Sequence, residues 1–87
     1  MKLKRILDVS QLEPCEPLEQ VLATLPTLQA GEYLQVLHRM EPQLLYPILT
    51  QAGYAWITKS GQTTLIEIYI WRADDNQAQL SVQTDAA

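Results

Sequence analysis

The chain has one cysteine, one histidine, three glycines and no phenylalanine among its 87 residues, and each shortage closes off a class of function. A lone Cys15 excludes an internal disulfide framework and an all-cysteine metal site. Three glycines leave no glycine-rich phosphate cradle, and no Ser-His-Asp order, CxxC or HExxH motif points to a triad or a dedicated zinc centre. Basic residues are also in short supply: six Lys and Arg against ten Asp and Glu give a net charge of -4, so a general phosphate-backbone binder is not expected. No apolar run reaches the roughly 18 residues of a membrane span. Met1-Lys2-Leu3-Lys4-Arg5 runs into Ile6-Leu7-Asp8 without the apolar stretch and cleavage site of a signal peptide. The expectation is a cytoplasmic, non-enzymatic protein with no cofactor, no resident metal, no nucleic-acid partner and no membrane partner.

What is present is a well-patterned globular chain, 47% hydrophobic and 18% charged. Lys4 to Val9 reads as a short strand with Leu7 and Val9 on one side. Pro17 suits a helix start, and Leu18, Val21, Leu22 and Leu25 follow at helical spacing until Pro26 and Ala30-Gly31 end the pattern. Glu32 to Arg39 alternates, with Leu34, Val36 and His38 facing one way and Tyr33, Gln35 and Leu37 the other. Pro42 opens a second helix carrying Leu45, Ile48, Leu49 and Ala52 on one face, with Gly53 as its C-terminal glycine. Pro47 lies inside that helix and either bends it or marks a restart after a tighter turn. Tyr54 to Lys59 and Thr63 to Trp71 alternate around Ser60-Gly61-Gln62, the pattern of an antiparallel hairpin.

The βαβαββ order predicts an α+β fold: a two-layer sandwich with a four-stranded mixed sheet and two helices on one face. Its expected core is Leu7, Val21, Leu22, Leu25, Leu34, Val36, Ile48, Leu49, Ile66, Ile68 and Ile70. Residues 1–72 form the domain, and 73–87, broken by Asp74-Asp75-Asn76-Gln77, are expected as a mobile tail. With strands one and two parallel, the Glu13 to Pro17 and His38 to Pro42 loops should meet at one edge, where open α/β sheets tend to bind ligands.

Four ordered motifs carry a family resemblance over roughly residues 6 to 72. They are Leu12-Glu13-Pro14-Cys15-Glu16-Pro17, Gly31-Glu32-Tyr33-Leu34-Gln35-Val36, His38-Arg39-Met40-Glu41-Pro42-Gln43-Leu44-Leu45-Tyr46-Pro47 and Gly53-Tyr54-Ala55-Trp56. In these the chain resembles the domain-of-unknown-function family 2249, a relative of the TusA/SirA-like sulfur-carrier domains. The resemblance implies a TusA-like βαβαββ fold and a small module associated with redox, sulfur or metal metabolism. With Leu12 and Pro17 in register, the carriers' sulfur-bearing cysteine position falls on Pro14, and Cys15 occupies the neighbouring proline position.

Several side chains are candidates for the site. Cys15, near a helix start, is either a small apolar residue or a thiol whose pKa the helix dipole lowers, the second option making the chain a persulfide carrier. Glu16 and Glu41 each precede a proline that starts a helix and suit its positive end. His38 is either a residue that ties the Glu41-Pro42 loop or a ligand beside Cys15 and Glu16, with Arg39 recognising a small anion. That anion is expected at the helix-start edge in preference to the Gly61 hairpin end, and a cation shared with His38 is the alternative. Tyr33, Tyr54, Trp56, Tyr69 and Trp71 are expected on the sheet face away from the isoleucines. If that face is open, it is a surface for a protein partner or a second copy. The alternatives are that the tail folds over it, or that strand three is turned so that Trp56 is core.

Overall fold

A computed structural model describes residues 4–10, 16–61 and 64–86, with 16 and 17 described by backbone alone. The elements run β1 (Lys4–Asp8), α1 (Glu16–Thr24), a single 3-10 turn (Leu25–Thr27), β2 (Tyr33–His38), α2 (Leu45–Ala52), β3 (Tyr54–Ser60), β4 (Ile66–Arg72) and α3 (Asn76–Ala86). The fold is α+β, and the strands form one mixed sheet in the order β1-β2-β4-β3. β1 and β2 are parallel, while β4 is antiparallel to both β2 and β3. β4 therefore fills the gap left between β2 and β3 when the chain crosses over through α2.

Local chemistry accounts for the helix ends. Pro47 is the third residue of α2, where a missing N–H costs nothing because the first helical N–H groups have no intrahelical acceptor. The helix is preceded by a tighter turn in which the Leu45 N–H donates to the Pro42 carbonyl at 3.0 Å, so the second helix begins later than Pro42. Gly53 closes it in the left-handed region at φ 86°, its N–H reaching the Leu49 and Thr50 carbonyls. A side chain there would strain the backbone.

The main core lies between the sheet and α1 and α2. Val21, Leu25, Leu34, Val36, Leu49, Ile68 and Ile70 are buried in it as the alternation predicts, joined by Val9, Leu28 and Leu45, with Leu7, Leu22 and Ile66 packed at its margin. Ile48 is only half-buried. Its neighbours Leu45 and Leu49 fill the space under α2.

Two expectations about the other face are corrected. The stretch 73–87, expected as a tail, carries α3, which lies across the sheet opposite α1 and α2 and adds a third layer. Tyr33, Tyr69, Trp71, Ala78 and Val82 form a second buried cluster there. Asp75 starts this helix, its carboxylate accepting the Ala78 N–H at 3.0 Å and the Gly31 N–H, forty-four residues away in sequence, at 2.7 Å. Both bonds hold the Asp75 pKa below its ordinary value. The middle of this sheet face, over β2 and β4, is thus covered.

The second correction concerns β3. Trp56 stands opposite Ile70 and Thr58 opposite Ile68, whereas Ala55 and Ile57 stand opposite Trp71 and Tyr69. Directly paired residues share a face, so Tyr54 and Trp56 pack against the main core and do not join Tyr69 and Trp71. The last pair is Ser60 with Ile66, so the hairpin connection is longer than the three residues expected.

Candidate functional site

The strand directions bring the loop after His38 and the hairpin between β3 and β4 to one end of the sheet. Asp8 at the end of β1 pairs with Leu37, His38 pairs with Ile66, and Ile66 pairs with Ser60. The hairpin and the His38 loop are therefore neighbours, which corrects the expectation that they mark different ends. Because β4 runs against β2, its first residue sits beside β2's last.

His38 is 5% exposed and points to the main-core side, where Leu34 and Val36 lie at the same parity of β2. Its Nδ1 accepts the Met40 N–H at 3.2 Å. Burial, with the nearby Arg39 charge second, lowers its pKa, so the ring is held neutral and turns the chain out of β2. Arg39, Met40 and Glu41 then stand exposed in the loop.

The loop is fastened a second time. The Tyr46 hydroxyl donates to Glu41 Oε1 at 3.0 Å and shares a 2.8 Å hydrogen bond with Thr58 Oγ1. Its ring stacks on Trp56 with centroids 5.2 Å apart and planes 3° from parallel. Burial raises the Tyr46 pKa, which keeps the phenol protonated as a donor. On the β1 side, the Ser10 N–H and hydroxyl both donate to Asp8 Oδ1, at 3.0 and 2.6 Å. The Ser10 hydroxyl is the larger cause of a lowered Asp8 pKa.

Beside the exposed Arg39 and Glu41, this end presents large apolar side chains to solvent. Met40 is 61% exposed, Leu44 79% and Leu65 72%; the first two flank the Glu41 turn, and Leu65 precedes the residue that pairs with His38. No group of three His, Cys, Asp or Glu among the described residues is placed to hold a metal ion. No described helix is long and apolar enough to cross a membrane.

A family match spans the four strands and the first two helices. The model of an uncharacterized conserved protein family, DUF2249, matches residues 6–72. The chain belongs to the DUF2249 family. No curated protein and no solved structure matches it. The match to the DUF2249 model ends with β4, so α3 lies beyond the matched residues.

The candidate residues thus separate into three groups. His38, Arg39 and Glu41 share the one loop, while Cys15 lies outside the described residues and Glu16 begins α1 with its side chain outside the description. Tyr54 and Trp56 belong to the main core's margin. Tyr33, Tyr69 and Trp71 lie beneath α3, where Tyr33 donates to Asp85 at 2.8 Å and Gln35 donates to Glu67 and Tyr69 at 3.0 and 3.2 Å. Burial leads the rise in both phenol pKa values, the Tyr69 value being pushed up to about 12. Residue-by-residue reading missed Tyr46 as a fastener, although it stands in the quoted Leu45-Tyr46-Pro47 motif. It also missed Asp75 and Asp85, whose partners lie far away in sequence.

Proposed function

We propose that this DUF2249 domain is a non-enzymatic protein-interaction module whose working surface is the end of the sheet around the His38 to Leu44 loop. The carrying observation is that Met40, Leu44 and Leu65, each more than three-fifths exposed, stand on the His38 loop and the hairpin that returns beside it, above side chains that are hydrogen-bonded to one another. His38 holds Met40, and Tyr46 holds Glu41 and Thr58. Large apolar side chains in solvent are what a partner surface offers, and polar groups already bonded at its base give it a fixed shape. A link to redox, sulfur or metal-associated metabolism rests on the family resemblance, as does the second reading, a persulfide carrier using Cys15. An anion held at Arg39 is a narrower form of the first reading, and phosphate titration followed by the amide shifts of residues 38 to 43 tests it.

The test is a Met40→Ser, Leu44→Ser double variant. Both side chains are exposed, so its melting temperature should match the wild type, and native-state sizing in lysate of the source cells should show it leaving any complex that the wild type enters. Unchanged complex size sinks the proposal. The carrier reading makes a different demand: incubation with a cysteine desulfurase and cysteine should add the mass of one sulfur atom at Cys15.

A further inference from the structure

The sheet face beneath α3 carries a second surface, and three observations bear on it. First, α3 covers only the middle. It packs on β2 and β4, while Ile6 on β1 and Ile57 on β3, which pair with Gln35 and Tyr69 and so share the covered face, remain 61% and 38% exposed. Second, the cover leaves one donor of its floor unmatched. Trp71 is 6% exposed, yet its Nε1 has no hydrogen-bond partner among the described residues, and α3 sends only Ala78 and Val82 into full burial there. A buried donor without an acceptor is a standing cost that a better-matched occupant would remove. Third, the rim is cationic in a chain that is acidic overall. Lys4 Nζ meets Asp85 at 3.2 Å, and Lys59 Nζ meets the Ala86 carbonyl at 3.4 Å.

We propose that α3, which lies beyond the residues that the family model matches, is a displaceable cover on a docking face for an acidic amphipathic helix of a partner protein. The cover's own contacts outline that partner: small side chains over Trp71, a carboxylate where Asp85 meets Lys4 and Tyr33, and larger apolar groups reaching Ile6 and Ile57. The cis helix holds the face by local concentration more than by fit, so a partner competes once α3 opens. This surface is separate from the loop end, and either assignment stands without the other.

Hydrogen exchange on the full chain tests the cover. The α3 amides of residues 79 to 86 should exchange about a hundredfold faster than those of Val36, Ile68 and Ile70, because α3 opens without global unfolding. The docking face is tested with an Asp75→Ala, Asp85→Asn full-length variant, which loses the cap and the Lys4 bridge. A labelled peptide of residues 74–87 should bind this variant at least about tenfold tighter than it binds the wild type, since the covalent competitor is weakened. The same peptide with Asp85→Lys should not bind. Four results overturn the proposal: α3 amides exchanging together with the core, loss of core protection in the double variant, equal peptide affinity for the two proteins, or equal binding of the Lys peptide. A concentration-dependent dimer of the double variant replaces the partner helix with a second copy and overturns that choice of occupant.

Discussion

The Tyr46 ring lies flat against the Trp56 indole, 5.2 Å between centroids, and so joins the first turn of α2 to the middle of β3. Through the Tyr46 bond to Glu41, the pair also ties the loop that follows β2 to a strand two positions away in the sheet. Its two halves make different contributions. Trp56→Ala removes a large half-buried ring and should cost about 3 kcal/mol, whereas Tyr46→Phe keeps the stack and loses only the bonds to Glu41 and Thr58, about 1 kcal/mol. Urea unfolding of the two variants checks this, and equal losses would mean that the stack contributes little.

Val36 has no exposed surface and faces the main core from the strand between β1 and β4. Val36→Asp places an unpaired carboxylate there, at a cost of several kcal/mol against a total stability of about 5–10. The variant should be unfolded by circular dichroism at neutral pH. A retained melting temperature would refute the assignment of β2's faces.

The buried His38 gives stability a pH dependence of its own. Its folded pKa is lowered from the ordinary 6.5, so the unfolded chain takes up this proton first as pH falls. Stability is complete above 6.5, declines as pH drops below it, and levels once the folded value is passed. Asp8, Asp75 and Asp85 also have lowered values, but from 3.8, so their contribution is lost only in stronger acid. Urea midpoints at about pH 7.5 and about pH 5.5 should differ for the wild type and much less for His38→Asn, which offers an acceptor to Met40 and does not titrate. Equal slopes in the two proteins would contradict the burial of a neutral ring.

At Gly53 the space around a new Cβ is empty, so Gly53→Ala isolates the backbone term. At φ 86° the expected loss is about 1 kcal/mol, read from the thermal midpoint. No loss would mean that the turn relaxes out of the left-handed region.

What was legible in the sequence follows the strength of each pattern. Ile66, Ile68 and Ile70 alternate with more polar or aromatic neighbours, and the Val21 and Leu49 stripes have helical spacing, so their faces could be read directly. β3 offers no such contrast, because Tyr54 and Trp56 on one side and Ala55 and Ile57 on the other are both compatible with burial. Its facing is set by pairing with β4, a long-range relationship. α3 is hidden for a related reason. Asn76–Ala86 is polar apart from a few small and aliphatic positions, and its order comes from Asp75 reaching Gly31, Asp85 reaching Tyr33, and a floor of aromatics built elsewhere in the chain. Tertiary contacts, more than propensity, hold most short helices. His38 as a loop fastener was among the readings open from sequence, whereas the exposed trio Met40, Leu44 and Leu65 required knowing that the hairpin returns beside β2.

The central claim is that the His38 loop end is a partner surface. A photo-crosslinking amino acid placed singly at Met40, Leu44 and Leu65, with Gln51 on the exposed side of α2 as a control, tests it directly in cells of the source organism. The account predicts one shared protein adduct from the three loop-end positions and none of that mass from position 51. Adducts of the same mass from position 51, or no adduct from any of the three, would contradict it.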